Sequence, residues 1–365
     1  MLTLHHAPAR RLGARGLFTA DEYARRRAFF TTRAAATPLV RLPALAARLG
    51  LGGVWVKDET SRFGLPAFKS LGVEFAVDAL GARGALQGVT TLVCASAGNH
   101  GRAVARAARV AGLQSRIFLD ADVAPSRVAA IASEGAEIVR VAGTYDDAVR
   151  LAAADAAATG GLVVSDTSWD GYDEVPHDIM LGYTQVMDEA AAAWGADGPP
   201  EVVIVQAGVG GLLAAAAAWM AWTYGDDRPR LIAVEPARAA CVQASARGGR
   251  PVAVDGPLTT IMAGLRCGEV SPLAFSALDG FVDAYVAVDD DWCRAAMRQL
   301  ARPEGNDPPL EVGASGAAGM AALLALEAEP GDARRASLGL TATARVCVIA
   351  TEGITEPDLW RDAVG

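Results

Sequence analysis

The chain has 365 residues, of which 52% are hydrophobic and 21% charged, and its formal net charge at pH 7 is −9. This composition is typical of a globular protein, and the acidic balance argues against nucleic acid as the main partner. No apolar run reaches the ~20 residues of a membrane helix, and the N-terminus lacks the apolar segment of a signal peptide. The five cysteines and four histidines lack metal-type spacing, so we expect free thiols, no metal site and a cytoplasmic location.

The N-terminal third begins with irregular and helical segments. Residues 1–35 predict an irregular arm followed by a helix from about Ala20, with Thr19 as its N-cap and the basic cluster 25–27 on a solvated face. A short helix is expected at 43–49, ended by Gly50, and a strand at 53–57. A further helix is expected at 68–80.

From residue 91 onwards, predicted strands and Ala-rich helices alternate. The strands are short, β-branched and apolar on both faces, as buried parallel strands are, and are expected at 91–96, 116–120, 137–141, 162–166, 202–206, 231–235 and 346–350. The helices are expected at 100–111, 126–134, 145–157, 212–222 and 316–327. This alternation predicts βαβ units, an α/β class and a doubly wound sheet. Ligands of such sheets bind beyond the carboxyl ends of the strands.

Lys69 is one of only two lysines among the 33 basic residues of the chain. Arginine stands wherever a positive charge alone is sufficient, whereas a lysine amine can lose its proton and attack a carbonyl. We therefore expect Lys69, in the stretch SRFGLPAFKSLG at 61–72, to hold an aldehyde cofactor as a Schiff base. The alternative is a lysine retained by chance on a solvated helix face.

Two glycine-rich loops follow predicted strands and open helices. In SAGNHG, at 96–101, helix-start amides suit a carboxylate and Asn99 can hydrogen-bond an oxygen, although an ordinary strand–helix turn is the alternative. In GVGG, at 208–211, the loop suits a phosphate. Glu235 follows as the ribose-binding acid of a dinucleotide site would, but Leu213 occupies the third glycine position of GxGxxG. We therefore rank a phosphate monoester above NAD.

A third loop, ATEG at 350–353, contains Thr351, whose hydroxyl can face a ring nitrogen or cap a helix. An amine, an asparagine, a phosphate loop and a hydroxyl together match the four polar groups of pyridoxal 5′-phosphate. This cofactor is our prediction.

The sequence resembles the fold-type II pyridoxal-phosphate enzymes, and within them the diaminopropionate ammonia-lyase family. The matching segments span nearly the whole chain and include VKDETSRFGLPAFKSLG, GNHGR, DTSWDGY, QAGVGG, TIMAGLRCGE and ATEG. The resemblance implies two mostly parallel sheets, with a large domain from 1–85 and 196–365, a small domain from 86–195, and the site between them. It also implies a homodimer and a small amino-acid substrate, with no nucleic acid or membrane as partner.

The resemblance implies a role for each matching residue. Lys69 is the expected Schiff-base lysine, Phe68 lies beside the ring, Asn99 contacts the phenolic oxygen and Thr351 faces the pyridine nitrogen. Asp166 assists proton transfer or binds the distal amine. The remaining roles are phosphate binding by Gly208, Val209, Gly210 and Gly211, and substrate-carboxylate binding by Ser96, Ala97, Gly98 and His100.

Four positions depart from the family pattern. Ala97 replaces the aspartate proposed as the base for D-substrates, so α,β-elimination of ammonia from the L-enantiomer of 2,3-diaminopropionate is expected. Pro66, Ala314 and Ile354 replace an asparagine and two loop acids, which leaves fewer groups to hold a second ammonium. The alternatives are a serine or threonine dehydratase-like or β-replacement enzyme, and a non-catalytic cofactor-binding relative.

Overall fold

The computed structural model describes residues 2–6, 14–143, 145–328 and 332–365. The chain forms two compact units, a larger one from 1–68 and 183–365 and a smaller one from 69–182. The strands are β1 (Leu2–His6), β2 (Leu39–Arg41), β3 (Gly53–Asp58), β4 (Thr91–Ala95), β5 (Gln114–Asp120), β6 (Glu137–Val141), β7 (Leu162–Val163), β8 (Val202–Gln206), β9 (Arg230–Pro236), β10 (Ala284–Val288) and β11 (Arg345–Ala350).

The α-helices are α1 (Ala20–Thr31), α2 (Pro43–Leu49), α3 (Lys69–Ala82), α4 (Asn99–Val110), α5 (Pro125–Ala132), α6 (Tyr145–Thr159), α7 (Glu174–Trp194), α8 (Gly211–Tyr224), α9 (Cys241–Gly248), α10 (Pro272–Leu278), α11 (Asp290–Ala301), α12 (Ala318–Ala328), α13 (Asp332–Ser337) and α14 (Pro357–Val364). None of the helices over the described ranges combines the length and apolar character that a membrane crossing requires.

The larger unit is built on a seven-stranded sheet of order β1-β10-β9-β8-β11-β3-β2. The five inner strands are parallel and the two outer strands are antiparallel to their neighbours. All five residues of β8 are buried, as the apolar pattern predicts for a strand covered on both faces. The parallel α/β class is therefore confirmed.

The smaller unit contains a four-stranded, all-parallel sheet of order β6-β5-β4-β7. Its apolar core includes Val93, Phe118, Val141 and Ala152. The limits of the two units differ from the predicted boundaries after residues 85 and 195. The reason at the first boundary is that α3 packs against α4, so it belongs to the smaller unit.

Three sequence-based expectations for local structure need correction. The predicted irregular arm contains β1, which pairs with β10; the rest of the arm, 7–13, lies outside the described residues. Arg26 does not lie on a solvated face, because its Nη1 is 2.5 Å from Asp188 Oδ2 and its side chain is buried. The strand predicted at 162–166 ends at Val163, so Asp166 lies in the following loop.

The predicted start of α1 is confirmed. The Thr19 hydroxyl accepts from the Glu22 amide at 3.3 Å, and the Glu22 carboxylate accepts from the Thr19 amide at 2.7 Å. This reciprocal capping box satisfies two amides that the helix itself cannot pair. Gly50, with φ of 64°, ends α2 as predicted.

Candidate active site

The smaller unit brings an amine and a carboxylate into direct contact. Lys69 is the first residue of α3, and its Nζ lies 2.5 Å from Asp166 Oδ2. The two side chains are 21% and 18% exposed, so a ligand can reach them although both are largely sheltered from solvent. The pair is formed by residues 97 positions apart in the sequence. It combines a nucleophile with a group able to hold or pass its proton.

The protonation state of this pair follows from its surroundings. Burial raises the pKa of Asp166, whereas a protonated His100 and the charge and hydrogen bond of Lys69 lower it, and the net pKa lies well below its usual value. Burial lowers the pKa of His100 and outweighs the opposite effect of the Asp166 charge, and the Lys69 charge lowers it further, so the ring is neutral at pH 7. Lys69 is therefore the cation that keeps Asp166 ionised.

The His100 ring is held by a hydrogen bond at one of its two nitrogens. Its Nε2 lies 3.0 Å from the Val164 carbonyl oxygen, which can only accept, so Nε2 carries the proton. Its Nδ1 lies 3.7 Å from Asp166 Oδ2, beyond hydrogen-bond distance. The His100 side chain is thus hydrogen-bonded to the segment that contains Asp166.

Tyr172 holds the same segment, and the sequence analysis did not single it out beyond its place in DTSWDGY. Its hydroxyl donates to the Val163 carbonyl at 2.9 Å and accepts from the Ser165 amide at 2.9 Å. Its ring stacks on Trp169 with centroids 4.0 Å apart. Both hydrogen-bonding capacities of the hydroxyl are used within three residues of Asp166. Tyr172 thereby positions the catalytic candidate Asp166.

The SAGNHG loop enters α4 with an open N-terminus. Gly98 is the N-cap and provides no side chain to bond the first-turn amides, which therefore suit an anion. A Cβ at Gly101 would lie 2.1 Å from the Ser96 carbonyl oxygen, so only glycine allows the chain to fold back this tightly. Ser96, Ala97 and Asn99 are half-buried beside this helix start.

The GVGG loop of the larger unit has the same character. Gly210 is the N-cap of α8 with φ of 96°, a conformation that favours glycine, and no side chain caps the helix. A Cβ at Gly208 would lie 3.1 Å from Cys267 Sγ. The loop of Gly208, Val209, Gly210 and Gly211 therefore packs closely at Gly208 and ends in a helix N-terminus without a side-chain cap, where backbone amides suit an anion such as a phosphate.

Thr351 follows β11, also in the larger unit. Its hydroxyl accepts a hydrogen bond from Gln206 Nε2 at 2.9 Å. The helix-cap alternative is wrong, because the next helix, α14, begins only at Pro357. The neighbouring backbone also fixes Phe68, whose amide donates to the Thr351 carbonyl at 3.2 Å, while its ring lies 4.7 Å from that of Tyr183.

Glu235 explains the resemblance to a dinucleotide fingerprint. Its carboxylate is buried and accepts from the amides of Val242 at 2.7 Å and Gln243 at 2.8 Å, at the start of α9. Both oxygens are thus used to cap a helix of the protein. Glu235 has a structural role where a dinucleotide site would need a carboxylate facing a ribose.

The second lysine, Lys57, has a structural setting in the larger unit. Its buried Nζ lies 2.9 Å from Glu59 Oε1 and 2.8 Å from Glu189 Oε2. Arg62 contacts the same two carboxylates, at 2.6 and 2.7 Å. The two cations and two anions balance each other, which is the condition for burying charge. Scarcity of lysine alone therefore does not identify a catalytic amine.

All five cysteines are free thiols in the structure. Across the described ranges, no group of three or more His, Cys, Asp or Glu side chains is arranged to hold a metal ion.

Comparisons with known proteins show the family of this chain. Residues 31–351 match the family model described as pyridoxal-phosphate dependent enzyme. A diaminopropionate ammonia-lyase of Escherichia coli (strain K12) is 37% identical over 345 residues, which cover 90% of this chain and 87% of that protein. An L-threonine dehydratase of Mycobacterium leprae is 29% identical over 66% of this chain and 54% of its own length.

A solved structure gives the same result. The E. coli diaminopropionate ammonia-lyase in complex with an aminoacrylate-PLP azomethine reaction intermediate superposes with a TM-score of 0.91 and 34% identity, over 100% of this chain and 97% of that one. The same E. coli enzyme has also been solved in complex with D-serine.

The fold is that of a fold-type II enzyme, and the chain belongs to the family of pyridoxal-phosphate-dependent enzymes. Within that family, diaminopropionate ammonia-lyases are the relatives that it matches over nine-tenths of its length.

Proposed function

We propose that this chain is a pyridoxal-phosphate-dependent ammonia-lyase that converts 2,3-diaminopropionate to pyruvate and ammonia, with a preference for the L-enantiomer. The observation that carries the proposal is the 2.5 Å contact between the Lys69 amine and the Asp166 carboxylate. An α,β-elimination needs a base at the α-carbon and a second group at the leaving amine. The likeness to diaminopropionate ammonia-lyases supports this choice of substrate.

The cofactor is assigned to residues whose chemistry fits each of its groups. Lys69 takes the aldehyde, Asn99 the phenolic oxygen and Thr351 the ring nitrogen, and Phe68 packs beside the ring. The phosphate is assigned to the four loop residues Gly208, Val209, Gly210 and Gly211. The start of α8 at Gly210, which no side chain caps, supports this fit. When bound, the cofactor supplies an electron sink for the charge that develops at the α-carbon.

Lys69 and Asp166 then divide the proton transfers. The Lys69 amine takes the α-proton, and the resulting ammonium is held by the Asp166 carboxylate. Because the pKa of Asp166 is below its usual value, Asp166 is ionised in the resting protein and carries a proton only during the transfer. The proton reaches the β-amine through this carboxylate, and ammonia leaves. The released 2-aminoacrylate hydrolyses to pyruvate and a second ammonia.

The substrate carboxylate is assigned to the start of α4. Its first-turn amides have no side-chain cap, and Ser96 adds a hydroxyl. Ala97 and Gly98 contribute backbone only, and His100 contributes through its amide because its ring already contacts Val164. The preference for the L-enantiomer rests on Ala97, since a methyl group provides no base on the opposite face of the α-carbon.

A second candidate is a dehydratase-like or β-replacement enzyme acting on serine, threonine or a related amino acid. Ala97 in the sequence SAGNH favours it, as does the likeness to a threonine dehydratase. A cofactor-binding relative without catalysis is the remaining alternative. Release of ammonia and of a 2-oxo acid from both enantiomers of each substrate separates the three: the 2-oxo acid is pyruvate from diaminopropionate or serine, and 2-oxobutyrate from threonine. Two ammonia molecules per pyruvate support the proposal, one supports a serine dehydratase, and no release from any substrate supports the non-catalytic relative.

We also propose a homodimer in the cytoplasm, on the family resemblance and the reduced thiols. Light scattering of the purified protein tests the oligomeric state, and a mass of one chain would contradict it.

A further inference from the structure

Gln206 is a buried polar residue at the end of an otherwise apolar strand. It closes β8, directly before the glycine loop, and its residue is 2% exposed. Positions 202–205 of the same strand are all valine or isoleucine. The apolar pattern of the strand does not predict an amide at position 206, so the role of Gln206 lies in its hydrogen bonds.

The amide nitrogen of Gln206 is surrounded by acceptors. Within hydrogen-bond distance of Nε2 are the carbonyl oxygens of Ile349, Ser315 and Gly316, at 2.9, 3.1 and 3.3 Å, and Thr351 Oγ1 at 2.9 Å. Carbonyl oxygens cannot donate, so the nitrogen end of the amide must face this cluster. An NH2 group cannot accept, and the Thr351 hydroxyl must therefore accept from Gln206.

The opposite end of the amide shows that this arrangement is costly. Gln206 Oε1 is buried and has no hydrogen-bond partner among the described residues. An unsatisfied buried oxygen destabilises the fold. An apolar side chain at this position would avoid that cost. The feature that the amide adds is the set of hydrogen bonds that its nitrogen donates.

Because it accepts a hydrogen bond from Gln206, the Thr351 hydroxyl is oriented as a donor toward other groups. One lone pair of Oγ1 is engaged by Gln206, and over the described ranges no protein oxygen accepts the Thr351 hydrogen. That hydrogen is left for a ligand. A donor of this kind matches a ring nitrogen that carries a lone pair, and opposes a protonated ring nitrogen.

We propose that Gln206 is a positioning residue that fixes Thr351 as a hydrogen-bond donor and thereby keeps the ring nitrogen of the cofactor unprotonated. This inference rests on the proposed function, because it takes Thr351 as the partner of the ring nitrogen. A neutral ring withdraws less charge from the α-carbon, so loss of the β-amine competes better with the transamination side reaction. Gln206 would then contribute to reaction specificity without touching the substrate.

The test uses holoenzyme loaded with cofactor labelled with ¹⁵N at the ring nitrogen. Its NMR shift reports protonation directly and does not depend on turnover. In the unsubstituted protein we expect an unprotonated nitrogen across the pH range in which the protein is folded. In Gln206→Met, which keeps the length of the side chain without the amide, the Thr351 hydroxyl is free to turn. We expect the ring nitrogen to take up a proton at higher pH, and transamination relative to elimination to rise by roughly tenfold, the value of one hydrogen bond.

Thr351→Val serves as the matched variant and keeps the inference testable if Gln206→Met does not fold. It removes the hydroxyl at nearly constant volume, and we expect the same change of the ring-nitrogen signal. Thr351→Ser keeps the hydroxyl, so its ring-nitrogen signal should be that of the unsubstituted protein.

The outcomes separate this inference from the proposed function. A ring-nitrogen signal unchanged in Gln206→Met or in Thr351→Val overturns the inference, while a yellow, active holoenzyme leaves the proposed function intact. A purified protein that takes up no cofactor overturns both.

Discussion

Lys69 Nζ, at the start of α3, lies 2.5 Å from Asp166 Oδ2, and the ammonium lowers the pKa of that carboxylate. The carboxylate stays ionised because the ammonium is present. The neutral His100 ring lies near the same carboxylate oxygen, with its Nδ1 3.7 Å from Asp166 Oδ2. Proton transfer between base and leaving group therefore has a short route within one unit of the protein. The first three predictions test this arrangement, and the fourth tests the buried ion cluster around the other lysine.

The first prediction concerns the Lys69 amine. Lys69→Ala should abolish pyruvate formation, by ~10³-fold or more, because both the cofactor attachment and the base are lost. Borohydride treatment should fix the cofactor on Lys69 of the unsubstituted protein only, as checked by peptide mass spectrometry. Lys69→Arg is the matched control: it keeps the positive charge beside Asp166 but cannot lose its proton. It should be equally inactive, and turnover by that variant would show that charge alone is sufficient.

The second prediction concerns the Asp166 carboxylate. Asp166→Asn keeps the shape of the side chain and should lower kcat by roughly 10²–10⁴-fold while cofactor is still bound, because proton transfer is lost. Since the pKa of Asp166 is held below its usual value, its titration should not limit kcat/KM anywhere above about pH 5. Steady-state kinetics as a function of pH check both points. A full-rate Asn variant would remove Asp166 from the mechanism.

The third prediction concerns the Tyr172 hydroxyl. Tyr172→Phe keeps the ring stacked on Trp169 but leaves the Val163 carbonyl and the Ser165 amide unpaired. The free energy of unfolding should fall by about 1–3 kcal/mol, and kcat should fall by roughly tenfold with little change in KM, because Asp166 loses its fixed position. Chemical denaturation and initial-rate kinetics measure the two effects.

Tyr23→Phe is the control for this experiment. The Tyr23 hydroxyl is buried without a hydrogen-bond partner among the described residues, so its removal should leave stability unchanged or slightly higher. If Tyr172→Phe behaves like Tyr23→Phe, the hydroxyl bridge does not hold the Asp166 segment.

The fourth prediction concerns the buried charge cluster of the larger unit. Burial tends to raise the pKa of Glu189, but hydrogen bonds and charges from Arg62 and Lys57 lower it to about 2. A depressed folded-state pKa stabilises the protein above the unfolded pKa, near 4.3, and this contribution is lost as pH falls toward 2. The free energy of unfolding should therefore decrease over that window.

Glu189→Gln should destabilise the protein at pH 7 by roughly 3–5 kcal/mol, because two buried cations then share one carboxylate. The variant should also show a shallower loss of stability between about pH 5 and 2. Denaturant unfolding at a series of pH values measures both. Asp358→Asn, in the exposed pair with Arg361, is the control and should leave stability unchanged. An equally small effect at Glu189 would contradict the argument.

Much of the fold could be predicted from local sequence patterns. Apolar, β-branched runs predicted the inner strands β8, β9 and β11 to within one residue at each end. Thr19 and Gly50 predicted helix ends, because a cap depends only on residues within one turn. The strands missed were β1, β2 and β10, of which β1 and β2 form the two outer edges of the larger sheet. Short outer strands carry weak apolar patterns since only part of each is covered.

Some features of the candidate site could be predicted from local sequence and others could not. Glycine loops and an isolated lysine are visible in the sequence because backbone conformation and residue chemistry are local properties. The scarcity of lysine did not by itself distinguish Lys69 from Lys57, which only the family resemblance did, and the sequence gave no reason to select Tyr172 or Gln206. Those distinctions depend on neighbours far along the chain: Asp166 for Lys69, Glu189 for Lys57, Thr351 for Gln206.

Strand and helix positions and caps were thus determined by residues close together in sequence, and the class of cofactor by several short motifs taken together. Which charges meet, which lysine is buried as a structural ion and which hydroxyl is turned into a donor were decided by the folded chain. The physical reason is that hydrogen bonds and ion pairs act over a few ångströms, and only the tertiary fold brings residues 97, 132 or 145 positions apart within that distance.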